Sequence, residues 1–143
     1  VQVDQLLDEQ NRQSEIERVV SLTNQTLGSG KDAAVYTSRS LVTGGDAASS
    51  LHIGQIVSDS LVEIVSSMTH QPRYLVAKGG ITSSDVATKA LGIKRAMVIG
   101  QALPGVPAWQ CGNETRYPGM TYIVFPGNVG EDEALAQIVN KID

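Results

Sequence analysis

The sequence holds a single cysteine, Cys111, so no internal disulfide is available to it. That suits a reducing cytoplasm, the location expected for the chain. A reactive thiol is one reading of Cys111; the plainer one is a small, partly buried residue in an irregular stretch. Aromatics are scarce, with one Trp, one Phe and four Tyr, too few rings for a platform on which single-stranded nucleic acid could stack. Basic charge is scarce as well. Lys and Arg number 11 against 15 Asp and Glu, a net charge of -4, and the cations are scattered rather than gathered in a stripe. These features argue against a nucleic-acid surface, whereas a small phosphate site needs no net positive charge. No apolar run approaches the ~18 residues of a membrane span, and Val1-Gln2-Val3-Asp4 does not read as a signal peptide. Neither nucleic acid nor membrane is expected as a partner.

What is present describes one globular domain. The 143 residues, 41% hydrophobic and 18% charged, suffice for a single core. The chain opens without Met and almost at once in a helical pattern, so residues 1–143 are expected to be one domain of a longer protein.

Apolar residues at threes and fours predict a helix over the first ~27 residues (Val3, Leu6, Leu7, Ile16, Val19, Val20, Thr23, Leu27), stopped by Gly28 and Gly30. A short buried strand is expected at 33–37 and a loop at 40–46. Ser49 or Ser50 is expected to cap a second long helix bearing Ile53, Ile56, Val57, Leu61, Ile64, Val65 and Met68. Strands follow at 74–77, 95–99 and 122–125. Between the first two, Val86, Ala87, Ala90 and Leu91 mark a helix ending at Gly92. The Gly- and Pro-rich segment 100–120 reads as irregular or edge structure. A last helix starts near Glu131 and Asp132 and carries Leu135, Ile138, Val139 and Ile142. Helices alternating with short continuous apolar strands predict a three-layer α/β/α domain with a mainly parallel, Rossmann-like sheet.

Ligands of such sheets bind at the carboxyl ends of the strands, and two glycine turns lie there. The first is Lys78-Gly79-Gly80-Ile81-Thr82-Ser83-Ser84-Asp85. Its glycines let a ligand approach the backbone, and its hydroxyls and helix-start N–H groups suit a phosphate. It reads equally as a tight strand-to-helix turn with a Ser cap. It is not a Walker A sequence, because no Gly-Lys-Ser/Thr follows at the needed spacing. Lys78 could neutralise a phosphate or simply be solvated. Asp85 could hold Mg²⁺ through water or simply favour the start of a helix. The second turn is Gly127-Asn128-Val129-Gly130, where Asn128 could bond a base or ribose. Gly44-Gly45 and Gly28-Ser29-Gly30 read as ordinary loops. His52 and His70 lack partners at metal-ligand spacing, so no metal site is assigned.

Four irregular motifs recur together here. They are Lys78-Gly79-Gly80-Ile81-Thr82-Ser83-Ser84-Asp85-Val86-Ala87, Gly100-Gln101-Ala102-Leu103-Pro104-Gly105-Val106-Pro107, Tyr117-Pro118-Gly119-Met120 and Phe125-Pro126-Gly127-Asn128-Val129-Gly130. In order and spacing they resemble the C-terminal nucleotide-binding domain of the four-carbon acid sugar kinase family, as does Val35-Tyr36-Thr37-Ser38-Arg39. The resemblance covers nearly the whole chain. It implies a two-domain enzyme whose missing N-terminal domain binds a tetronate or 3-oxo-tetronate and whose C-terminal domain binds ATP with Mg²⁺. The γ-phosphate would pass to the terminal hydroxyl of the sugar acid. It implies that Gly79, Gly80, Ile81, Thr82, Ser83 and Ser84 hold the phosphates and that Gly127, Asn128 and Gly130 line the nucleotide site. The segment 104–107 would wall the site near the adenine or the domain boundary. This chain alone should turn over little or no substrate, and self-association stays open. The rival readings are a noncatalytic nucleotide- or anion-binding regulatory module and a dinucleotide oxidoreductase. The missing GxGxxG argues against the latter.

Overall fold

The computed structural model describes residues 1–38, 42 and 44–142, which form two compact units, Val1–Gln71 and Pro72–Asp143. Arg39 and Ser40, which fall in the expected strand end and loop, lie outside the described residues.

The first unit is helical: α1 (Val3–Leu7), α2 (Arg12–Gly28) and α3 (Ala47–Ser66). The single helix expected over residues 1–27 is broken, and the polar run after Leu7 explains the break. The Asp8 carboxylate accepts from the Gln10 N–H at 2.9 Å and from Asn11 Nδ2 at 2.7 Å. This local competition diverts the backbone from the helix. Leu6, Ile16, Val19 and Ile64 form the core, with Val20, Ile56, Val57 and Leu61 packed on it. α3 is capped by Asp46, not by Ser49 or Ser50. The Asp46 side chain accepts from the Ser49 N–H at 2.8 Å and Ser49 reciprocates, a capping box. The strand expected at 33–37 does not form. Tyr36 is 73% exposed, and the segment is tied instead to the chain start through Ser38 N–H to Val1 O at 2.8 Å.

The second unit contains β1 (Tyr74–Lys78), α4 (Gly80–Asp85) running on into a π-helical turn (Val86–Ala90), β2 (Ala96–Leu103), β3 (Val106–Cys111), β4 (Thr121–Phe125) and α5 (Ala134–Ile142). The four strands form one sheet in the order β1-β4-β3-β2. β1 and β4 pair in parallel, while β4–β3 and β3–β2 are antiparallel. The expectation of a mainly parallel, Rossmann-like sheet is thereby corrected. The cause is the segment 100–120, expected to be irregular or edge structure; its edge part is met by β2, which ends the sheet. The segment folds as the end of β2, a two-residue turn at Pro104 and Gly105, and β3. Pro at the first turn position and Gly105 at φ 79 at the second suit a tight reversal. Pro107 is tolerated because β3 pairs with β4 only from Ala108 to Gln110, past the proline.

The two faces of this sheet carry different helices. Ala102, Val106, Ile123 and Phe125 pack with Ala134 and Ile138 of α5. On the other face the Tyr122 hydroxyl donates to Ser83 O in α4 at 2.7 Å. The helix after the first glycine turn ends as expected: Gly92 has φ 69, and Ile93 N–H closes back on Ala87 O at 2.9 Å.

Candidate functional site

β1 and β4 run side by side in one direction, so their carboxyl ends, and the glycine turns that follow, share one edge of the sheet. Lys78 pairs with Phe125 in register, and Gly79 N–H donates to Phe125 O at 2.9 Å. Gly79 has φ 105, a conformation that L side chains rarely adopt. A Cβ on Gly127 would lie 3.8 Å from the Gly79 Cα. The two turns expected to face one crevice are therefore adjacent, with bare backbone between them.

The first intrahelical bond of α4 runs from Ser83 N–H to Gly79 O at 2.9 Å. The N–H groups of Gly80, Ile81 and Thr82 precede it and have no acceptor within the helix. Gly80 is exposed, and a Cβ there would meet nothing within 4 Å. Ile81 is 70% exposed. The Thr82 Oγ1 lies 3.9 Å from where a Gly79 Cβ would be. Ser84 is exposed, and its carbonyl accepts from Thr88 Oγ1 at 2.8 Å.

Ser83 differs from its neighbours. It is buried, and its hydroxyl donates to Gly79 O at 2.6 Å, with Gly80 O at 3.2 Å. Its carbonyl holds the Tyr122 hydroxyl, whose pKa burial pushes up. The Ser83 hydroxyl therefore locks the turn from inside. Ser83→Ala is expected to lower stability by about 1 kcal/mol, the usual net worth of such a bond, read as a fall in melting temperature. An unchanged melting temperature would contradict this role.

Asp85 is engaged with Lys89, Oδ2 to Nζ 3.1 Å. Among the described residues no three His, Cys, Asp or Glu side chains gather where a metal could be held. The second turn is open. Gly127, Asn128 and Gly130 are exposed, and Gly130 takes φ 86. A Gly105 Cβ would stand 3.6 Å from Val129 Cγ1, so the β2–β3 turn abuts this second turn. The Cys111 thiol is buried, and burial raises its pKa, which fits the structural reading of that residue.

A cleft of about 520 Å³ opens beside α4, within the size range of small-molecule sites. Gly80, Ser83, Ser84 and Pro126 line it near the turns; Val98, Trp109 and Val124 form an apolar part; Lys94 and Arg95 also line it. The sequence alone did not single out Trp109, Lys94 and Arg95 as lining this cleft. Trp109 sits in a stretch that reads as irregular or edge structure, and Arg95 reads as the first residue of the strand 95–99. The π-helical turn was also missed. Leu91 N–H bonds Val86 O at 3.0 Å, a rare register that recurs at functional sites.

Among the described residues, no helix is long and apolar enough to cross a membrane. A comparison with curated proteins finds no match. Solved structures match over nearly all of the chain. They include a Haemophilus influenzae protein (TM-score 0.69, 18% identity, 97% of this chain and 33% of that one) and a Salmonella typhimurium LT2 protein provisionally named a tRNA synthase (0.68, 20%, 96% and 33%). A domain of unknown function from Bordetella bronchiseptica, solved with bound citrate as a domain-swapped dimer, also matches (0.65, 21%, 97% and 33%). The chain thus spans about a third of the length of these structures, and at such identities the likeness establishes the fold. Residues 1–135 match the family model of the nucleotide-binding C-terminal domain. With that match covering the four motifs and the paired glycine turns, the chain belongs to the nucleotide-binding C-terminal domain family.

Proposed function

We propose that this chain is the ATP-binding part of a longer two-domain kinase, one that moves the γ-phosphate of ATP to the terminal hydroxyl of a four-carbon acid sugar. The observation that carries the reading is the meeting of two glycine turns at the carboxyl ends of a parallel strand pair, with the Gly127 Cβ position 3.8 Å from Gly79 Cα. Phosphoryl transfer is mostly positioning and charge stabilisation. Backbone N–H groups of Gly80, Ile81 and Thr82, with the Thr82 and Ser84 hydroxyls, would hold phosphate oxygens. Ser83 would shape the turn. Gly127, Asn128 and Gly130 would close on the nucleotide from the second turn, and the apolar part of the cleft would take the adenosine. Mg²⁺ keeps several waters when it rides on phosphates and needs no protein cage. With Asp85 already paired to Lys89, the metal would arrive with the nucleotide. The acceptor sugar and its general base belong to the rest of the protein.

The test is phosphorylation of tetronates and 3-oxo-tetronates by the longer protein. Transfer to a terminal hydroxyl supports the reading. ATP binding without transfer to any sugar acid would favour a regulatory nucleotide module instead. Self-association is part of the same proposal. Met97 and Ile99 are exposed on the edge strand β2, a surface that invites pairing with another copy, and the Bordetella relative is a domain-swapped dimer. A monomer mass at all concentrations in light scattering would contradict it.

A further inference from the structure

Triphosphate binding at the two turns leaves negative charge to be neutralised, and the second unit offers few cations for it. Lys94 and Arg95 line the far end of the cleft, because β2 runs in the same direction as β4 and so begins at the end of the sheet away from the turns. Lys89 is paired with Asp85 and Lys141 donates to Ala102 O at 3.0 Å.

Lys78 is placed differently. It is the last residue of β1, exposed, and directly before Gly79. Its Nζ stands 3.8 Å from the centroid of the Phe125 ring. Phe125 is itself fixed. It is 2% exposed, sits opposite Lys78 in the parallel pairing, and belongs to the core beneath α5. The second turn closes on the same ring, for a Cβ on Gly130 would lie 3.0 Å from Phe125 Cζ. Among the described residues no carboxylate holds Lys78. An ammonium over an aromatic face is attracted by the ring but keeps its N–H donors for an anion. The ring therefore holds the charge beside the second turn without neutralising it, which a carboxylate partner would do.

We propose that Lys78 binds the terminal phosphates of the nucleotide, with Phe125 as the platform that positions its ammonium beside the second glycine turn. This rests on the nucleotide reading above and deepens it: the site should prefer nucleoside triphosphates to monophosphates because of this one side chain.

The experiment is titration of the chain with Mg-ATP and with AMP, for the wild type, Lys78→Met and Lys78→Arg, each checked by thermal melting. Lys78→Met should keep the wild-type melting temperature, because the side chain is exposed. It should lose about 30-fold in ATP affinity, the size of one charge-assisted contact, with AMP affinity changed by less than about 3-fold. Lys78→Arg should restore most of the ATP affinity. Should Lys78→Met melt early, Lys78→Gln replaces it in the same comparison. Equal losses for ATP and AMP, or no loss for either, would overturn the role of Lys78 and leave the nucleotide site standing. Failure of the wild type to bind either nucleotide would overturn both.

Discussion

Gly80→Val abolishes ATP binding, a loss of at least about 100-fold, while the chain keeps its fold. The reasoning is local. Gly80 is the first residue of α4, it does not need a positive φ, and a Cβ there meets nothing within 4 Å. A branched side chain is therefore accommodated, and stability should change by less than about 1 kcal/mol. The added methyl groups would instead occupy the space in front of the N–H groups on which the phosphates are proposed to rest. Gly79→Val is the contrasting variant. Gly79 has φ 105, so it should also lose about 1–3 kcal/mol of stability through backbone strain. Calorimetric titration with Mg-ATP beside a thermal melt separates the two effects. Unchanged affinity in Gly80→Val would remove the phosphates from this turn.

The second large effect concerns acid. Glu15 is buried, 6% exposed, and its two carboxylate oxygens take Arg18 Nε and Nη2 at 2.7 Å each, with the Gln2 N–H at 2.8 Å. The Arg18 bonds, helped by the Gln2 N–H and opposed by burial, hold its pKa at about 2 against an ordinary 4.5. The carboxylate is thus harder to protonate folded than unfolded. Its contribution is complete above pH 4.5 and is lost as pH falls through 4.5 towards 2, where the unfolded chain binds the extra proton. Arg18 is half exposed, so solvent screening trims the contribution to about 2 kcal/mol. Denaturant unfolding followed by far-UV circular dichroism should show stability falling across that window. Glu15→Gln should be about 2 kcal/mol less stable at neutral pH and should lose this part of the acid slope. The same acid slope in both proteins would contradict the assignment.

The two glycine turns were legible in the sequence because glycine after an apolar strand and before a helical pattern has few other uses. Their adjacency was legible only as a condition, since it depended on β1 and β4 being neighbours. The sheet was misjudged at 100–120. Pro104, Gly105 and Pro107 each break regular structure on average, yet here they sit at a turn, a turn and the margin of a ladder. The break after Leu7 was hidden because apolar periodicity on both sides of Asp8 continues a helical pattern that the Asp8 and Asn11 side chains interrupt. Ser83 shows a different limit. A serine in such a turn suits a phosphate in any sequence, and only the structure reveals that its proton goes to Gly79 O. Lys78 could be read as solvated or as a phosphate ligand, and the ring of Phe125, 47 residues later in the chain, gives a reason to favour the second.

The most direct measurement is titration of isotope-labelled chain with Mg-ATP, followed through the backbone amide resonances, with NAD as the comparison. Shifts that saturate with ATP and centre on Gly79, Gly80, Ile81 and Gly127, with none from NAD, are the predicted result. Saturable shifts confined to other residues, or none at all at millimolar ATP, would contradict a nucleotide held between the two glycine turns.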